Sequence, residues 1–569
     1  MRLKRNKFFI IAVLALMVCI FLEMQDFVYS SDIQSGYVTS KHPELWGSII
    51  ADSVNQKTIY LTVNGNKVDL LREKPYMDKD LNLMLPISVI KEYFNCGSYI
   101  MDNNIFVMEQ GEKVIKMKLG DRNMDINGTK ETISVPFTQK GKEYYVSAEA
   151  LERALGCQYT WDMTTNKATF FYVGGEAQKL PYQYDYRKVM RKPSTKDQGK
   201  WGTCWAFASL TALESSLLPE ERLDFSEDHM TFKNSFSSSR NDGGTYNMAM
   251  AYLTSWQGPV LEKDDPYGDG FSPDGLKAVK HVQEIQVIKE KDFDKIKEMV
   301  LKYGGVQSSL YTLLNGADTQ SEYYNEKTNA YCYIGTEKAN HDVVIIGWDD
   351  NYPKGNFNVN LEADGAFICQ NSWGKDFGED GIFYVSYYDT NIGIHNVVYT
   401  KVENIDNYDN IYQSDLCGWS GQVGYGKNTA YFANVYQTKG KESLQAVGFY
   451  ATDKDTEYEI FLVSDFKDTI SLLNRKELKK GKLENAGYYT IPLEEQVLEK
   501  GKKFAIVVKI TTPNAKKPIA IEYAADSATK DVDLSDGEGY ISQHGTEWER
   551  AEITQSCNIC LKAYTKKLE

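Results

Sequence analysis

Between Ile59 and Tyr172 the chain repeats itself. The string LPISVIKEYFNCGSYIMD, beginning at Leu85, aligns without gaps to VSAEALERALGCQYTWD, beginning at Val146, 61 residues later. Cys96 falls on Cys157, Phe94 on Leu155 and Ile90 on Leu151. Each copy predicts a short amphipathic helix, a turn, and a strand ending in IFVM or KATFFYV. Ile87, Ile90 and Phe94, like Ala148, Leu151 and Leu155, fall at helical spacing, so packing into a core explains them. A unit that recurs must therefore fold as a small α+β domain of its own. The full 569 residues are too long for one hydrophobic core, so further domains must follow it.

The extreme N-terminus has another character. Arg2, Lys4, Arg5 and Lys7 precede an apolar run from Phe8 to Leu22. As a helix this run spans about 22 Å, short of a roughly 30 Å hydrocarbon core. It reads as a secretory signal over 1–30, with Val28-Tyr29-Ser30 near the cut, followed by a linker over 31–56. Membrane contact is then expected only during export, or through an uncleaved anchor. The net charge of -15 argues against nucleic acid as a partner. Beyond Cys19, eight cysteines are scattered through apolar strings over the whole length, which is no disulfide scaffold. Cys557-x-x-Cys560 resembles a redox motif only in spacing, since strand geometry would point the two side chains to opposite faces.

Chemistry concentrates after a short polar linker that starts at Gly174. In DQGKWGTCWAFASLTALESSL, from Asp197, the positions Ala206, Leu210, Leu213 and Leu217 share one helix face. Thr203 is expected to cap that helix, which places Cys204 in its first turn, where the helix dipole favours a thiolate. His341 opens the apolar strand of ANHDVVIIGWDD, and Asn371 lies between two apolar strands in FICQNSWGKDFGEDGIFYVSY. A nucleophilic Cys, then a His, then an Asn is an order suited to acyl transfer through a thioester.

These three strings resemble the papain family of cysteine peptidases. The resemblance covers about 220 residues and implies a two-lobed catalytic domain, one lobe helical and one β-barrel-like, over 180–407. It implies Cys204 as nucleophile, His341 as base and then acid, Asn371 as the amide that orients His341, and Gln198 as an oxyanion donor. Trp373 is the indole expected to shield the His341–Asn371 contact. Gly243 and Gly244 correspond to a glycine pair against which a substrate strand lies. Trp201 stands where many members place a disulfide cysteine, so that bridge is absent, and no helical inhibitory prosegment precedes the domain.

The repeat over 57–173 resembles the domain named after the copper amine oxidase N-terminus. No histidine occurs between His42 and His229, so an imidazole-built copper site is not expected, and no metal or cofactor is assigned. From Tyr408 onward the chain turns to short alternating strands such as AVGFYAT, EYEIFLVS and KFAIVVKI, which predict a β-sandwich over 408–566. GYYTIPLEEQVLEKGKKFAIVVKI and GYISQHGTEWER are similar to the lectin-like domain that follows such peptidases in Gram-positive bacteria. The expected protein is thus an α+β multidomain endopeptidase, secreted or on the cell surface, that acts on protein or peptide substrates. Any contact with cell wall or glycan is expected through the sandwich, with Trp548 packed in its core rather than stacked on sugar. The sandwich is expected to be separable from a still-active catalytic domain. Two rival readings are a catalytically silent adhesin and a transglutaminase-like acyl transferase. Intact Cys204 and His341 oppose the first; Gln198 and the NSWG string oppose the second.

Overall fold

The computed structural model describes residues 58–568, apart from 64–65, 69–73, 95, 102, 111–112, 163–165, 173–179, 181, 189–190 and 314–320. The signal segment, its linker, Cys19 and the linker at Gly174 lie outside the described residues. The chain divides into two compact units, residues 1–58 with 76–83, and 59–75 with 84–569. In the first, Asp78 Oδ1 accepts the N–H groups of Asp80 and Asn82 at 2.9 and 2.8 Å, closing a tight turn. The rest of this description concerns the second unit.

The repeat folds as its spacing predicts. Its helices are Ile87–Tyr93 and Ala148–Leu155, and the segments before them, Met84–Pro86 and Tyr145–Ser147, pair antiparallel. The second helix is capped by Ser147, whose hydroxyl accepts the N–H of Ala150. The first begins at Pro86, which has no side-chain acceptor to offer. Ile90, Phe94, Leu151 and Leu155 are all buried. The strand following each helix enters a different sheet, Gly97–Met101 in one of five strands and Cys157–Asp162 in one of four.

The central region sets a helical lobe against an antiparallel sheet. Helix α1 is Cys204–Leu217 and helix α2 is Tyr246–Thr254. Helix α1 is buried nearly all round, from Trp205 to Ser215, so the single apolar face read from its leucines understates its burial. Along the chain the strands are β1 (His281–Ile288), β2 (Val306–Leu310), β3 (His341–Asp349), β4 (Ala366–Gln370), β5 (Ile382–Ser386) and β6 (Asn396–Glu403). Three more follow in the C-terminal region: β7 (Glu442–Ala451), β8 (Ala486–Leu498) and β9 (Leu561–Lys567).

These strands form one sheet in the order β5-β4-β3-β2-β6-β1-β8-β7-β9. The sandwich is present, with a six-stranded sheet facing β7–β9 across a core that includes Phe432, Phe449, Ile506 and Leu561. Its second layer, however, is continuous with the catalytic sheet. Strand β8 pairs antiparallel with β1, Glu284 opposite Tyr489 through Val287 opposite Ala486. Tyr450, Tyr488, Ala520 and Cys560 from the C-terminal region belong to the same hydrophobic cluster as α1 and β3. The shared sheet is not marked in the sequence, because alternation along β8 records a buried face and not the strand it will pair with. Trp548 packs edge-on against Tyr431, as a core residue would.

At the seam, Gly487 has φ 135°, and a Cβ built there would stand 2.1 Å from the carbonyl oxygen of Ile285. Only glycine fits this approach. Gly487→Ala is expected to cost about 2–3 kcal/mol of stability. Because one sheet runs through both regions, scanning calorimetry of the chain should show them melting in a single transition, lowered as a whole by the substitution. Separate melting of the sandwich, with the catalytic transition unmoved, would contradict the continuous seam.

Candidate active site

Cys204 is the first residue of α1, and it is partly accessible, whereas the other seven described cysteines are buried. Thr203 occupies the N-cap position but makes no side-chain cap. Its hydroxyl is taken by Tyr267 at 2.8 Å, and Tyr267 in turn donates to the carbonyl of Gln198 at 2.8 Å. The backbone N–H groups of Cys204 and Trp205 at the open helix end, with that of Asp342, favour charge on the thiol sulfur.

Gln198 is fixed from three sides. Its N–H donates to Ser372 O at 2.8 Å, its Oε1 accepts from Ser372 Oγ at 2.6 Å, and its Nε2 donates to Trp201 O at 2.7 Å. An amide nitrogen carries two hydrogens, so one remains for a developing oxyanion. The loop before Cys204 is thereby tied to the loop after β4. Gly374 N–H donating to Lys196 O at 3.0 Å and the bridge between Asp197 and Trp373 complete the tie. Lys196 is itself anchored by Glu214, Asp224 and Glu227, each at 2.8 Å.

His341 starts β3, and Asn371 directly follows β4, its paired neighbour. Nε2 of His341 lies 2.7 Å from Asn371 Oδ1, which also accepts the N–H of Ser372 at 2.8 Å. An amide oxygen can only accept, so the imidazole proton sits on Nε2 and Nδ1 keeps a free lone pair. The Trp373 indole stacks on the imidazole at 4.6 Å and 28°. His341, Asn371 and Trp373 are each about 95% buried, exposing 5%, 4% and 6% of their surfaces.

Burial pushes the Cys204 thiol up to about 12, with the Asp342 carboxylate adding in the same direction. Burial also pushes His341 down to about 4, against the hydrogen bond to Asn371. Each group alone therefore keeps its neutral form. Burial thus opposes charge on either group. The thiolate expected from the helix start is therefore favoured by the backbone N–H groups and opposed by burial.

Gly243 has φ 74°, and a Cβ on Gly244 would lie 2.5 Å from the Trp205 indole. The glycine pair accordingly lies against the residue after Cys204. The Arg240 guanidinium stacks over the Trp201 ring at 3.3 Å, and Arg240 O accepts the N–H of Gly202 at 3.0 Å. These contacts tie the two segments together at the position where the resembled family places its disulfide. Ser372, Tyr267, Arg240 and Asp342 carry no reacting atom, and sequence reading did not single them out, although Ser372 and Asp342 stand inside the catalytic strings. Among the described residues no group of three His, Cys, Asp or Glu side chains could hold a metal ion.

Three family models match the chain in order. The copper amine oxidase N-terminal domain covers residues 62–170, the papain family cysteine protease 180–402, and the lectin-like domain 411–565. Residues 180–402 are a papain-family cysteine protease domain, and the α+β multidomain fold expected from the sequence is the one found. The same pairing of domains occurs in known structures. The chain is similar to the cysteine protease and lectin-like domains of Cwp84, a surface layer associated protein of Clostridium difficile. Identity is 27% with a TM-score of 0.60, over 69% of this chain and 90% of that one. A clostridial Cwp84 after propeptide cleavage gives 28% and 0.61, over 68% of this chain and 99% of that one. A viral cathepsin of Epiphyas postvittana nucleopolyhedrovirus is 26% identical over 232 residues, 40% of this chain and 65% of the relative. A probable cysteine protease of Arabidopsis thaliana is 27% identical over 222 residues, 37% and 58% respectively. The chain thus spans less than two thirds of these curated relatives.

Asp342 supplies a test of the electrostatics. Its carboxyl accepts from Ser309 Oγ at 2.6 Å and Gln307 Nε2 at 2.9 Å, and its negative charge raises the Cys204 thiol. Removing that charge in Asp342→Asn lowers the thiol's pKa, so thiolate persists to lower pH. The acid limb of Cys204 alkylation by iodoacetamide should move to lower pH. An unmoved or upward-shifted limb would contradict the arrangement.

Proposed function

We propose that the chain is a cysteine endopeptidase that hydrolyses peptide bonds through a thioester, with Cys204, His341 and Asn371 as its catalytic set. The observation that carries this reading is the His341 Nε2–Asn371 Oδ1 contact, covered by Trp373, which leaves Nδ1 unprotonated in a chain whose one partly accessible described cysteine stands at a helix start. Nδ1 takes the Cys204 proton, and the sulfur attacks the scissile carbonyl. Gln198 and the N–H of Cys204 donate to the oxyanion that forms. The imidazolium then gives its proton to the leaving amine, and the thioester remains. Water, deprotonated by the same imidazole, cleaves the thioester and restores the thiol.

The substrate strand lies along Gly243 and Gly244, where no side chain blocks backbone pairing. Protein or peptide substrates follow from this chemistry. We further assign domain limits of 57–173, 180–407 and 408–566, export directed by residues 1–30, and a place outside the cell or on its surface. Cell-wall or glycan contact is assigned to the C-terminal domain. No helix among the described residues is long and apolar enough to cross a membrane.

An epoxysuccinyl inhibitor should modify Cys204 and abolish hydrolysis, and Cys204→Ala should be inactive with an unchanged circular dichroism spectrum. Peptide mapping that places the adduct on another cysteine would overturn the assignment.

The remaining roles separate by size of effect. Gln198→Ala should cost about 3–4 kcal/mol in kcat/KM, as loss of one oxyanion donor typically does. Asn371→Ala should retain residual activity, since it removes an orienting group and no reacting atom. A wild-type rate for either variant would contradict its role. The kcat/KM of the wild type should be bell-shaped in pH, both limbs belonging to the Cys204–His341 pair.

A further inference from the structure

The strap from Lys233 to Gly244, which connects the helix Glu227–Phe232 to the glycine pair, contains no helix or strand. Backbone without ladder partners takes its position from whatever satisfies its polar groups. At its start, Asn234 Nδ2 donates to Met230 O and Thr231 O at 2.7 and 3.0 Å. At its end, Arg240 holds Trp201 and Gly202, as described above. Between these anchors Gln257 Nε2 donates to Ser235 Oγ at 2.8 Å, and further partners come from the C-terminal domain. Ser237 N–H donates to Ala528 O at 2.7 Å, Ser237 Oγ donates to Asp531 Oδ2 at 2.5 Å, and Cys417 Sγ lies 3.2 Å from Ser235 O.

The segment that supplies these groups is ordered before it meets the strap. Asp526 Oδ1 accepts the N–H groups of Ala528 and Thr529 at 2.9 and 3.0 Å, and Thr529 Oγ1 accepts those of Ala525 and Asp526 at 2.8 and 3.1 Å. Thr529 is buried, whereas Asp531 is exposed and free of packing duties. Cys417, which reaches Ser235, has its own N–H held by Glu522 at the foot of the same segment.

We propose that Asp531 and the carbonyl of Ala528 are positioning groups for the substrate cleft, which hold the strap through Ser237 and so set where Gly243 and Gly244 meet a substrate strand. The C-terminal domain is then part of the cleft wall. The route is contiguous: Asp531 to Ser237, along the strap to Arg240, across to Trp201 and Gly202, and so to the Cys204 loop. This rests on the reading of the glycine pair as the substrate wall.

The test uses the full chain with Asp531→Ala, Asp531→Asn and Ser237→Ala. Peptides extended on the acyl side of the scissile bond should show KM raised on the order of tenfold in Asp531→Ala, with kcat within about twofold. Iodoacetamide should alkylate Cys204 at the wild-type rate, because the nucleophile itself is untouched. Asp531→Asn should recover most of the affinity, as its amide oxygen can still accept from Ser237. The effects of Asp531→Ala and Ser237→Ala should fail to add, since both remove one contact. An unchanged KM in Asp531→Ala would overturn the proposal. So would a fall in kcat that tracks a lowered melting temperature, which marks a merely structural role. Failure of the underlying reading is distinct, because Gly243→Ala, which alters the wall itself, would then also leave the KM of the extended peptides at the wild-type value.

Discussion

The antiparallel ladder between β1 and β8 is the constraint on which the rest of the molecule depends. Strand β1 is flanked by β6 on one side and β8 on the other, so both edges of a catalytic strand are paired, one of them by a strand 200 residues further along the chain. An unpaired β1 edge would present a row of bare N–H and C=O groups. Tyr488 adds apolar packing across the regions, for it is fully buried in the cluster that also holds α1. The lectin-like domain is thus joined to the protease domain by main-chain hydrogen bonds and shared core, and the clasp on Ser237 is a second, peripheral joint on the same pair of bodies.

Within the site, the governing constraint is desolvation. His341 and Asn371 are withdrawn from water, His341 under the Trp373 indole, while Cys204 keeps partial access. Isolated charge is expensive there, which is why thiol and imidazole shift in opposite directions, each toward neutrality. In the proposed mechanism the same low polarity strengthens the interaction of the thiolate with the imidazolium, and of the oxyanion with Gln198. Asp342 adds a negative charge that opposes ionisation of the thiol, in the same direction as burial.

Much of this was legible in the sequence, for reasons that differ by element. Cys204, His341 and Asn371 stand in contiguous strings because each is placed by its immediate neighbours: a helix start, a strand mouth and a turn. The repeat was legible because two copies of one local pattern need no long-range information. What escaped was everything set by pairing at a distance. Strand β8 alternates as any half-buried strand does and carries no mark of β1. Helix α1 shows a leucine stripe, yet it is enclosed on every side because β3 and the helical lobe both pack on it. Thr203 has the composition of a cap, but Tyr267, 64 residues on, takes its hydroxyl.

The repeat domain meets the protease domain through buried polar groups of a different kind. Glu109 accepts the hydroxyl of Tyr99 at 2.8 Å, and burial raises its pKa while the nearby Arg191 opposes the shift. Arg191 is itself buried, donating to Leu301 O at 3.1 Å and Tyr303 O at 2.6 Å, with its guanidinium 5.0 Å from the Tyr186 ring. Gly97 completes the contact, for a Cβ there would stand 3.6 Å from Leu301 O. A buried cation that satisfies main-chain carbonyls on one side and faces a carboxyl on the other specifies one docking geometry, because a misplaced partner leaves charge uncompensated. The residues that make this contact, Arg191 and Leu301–Tyr303, include none of the proposed catalytic set and none of the strap.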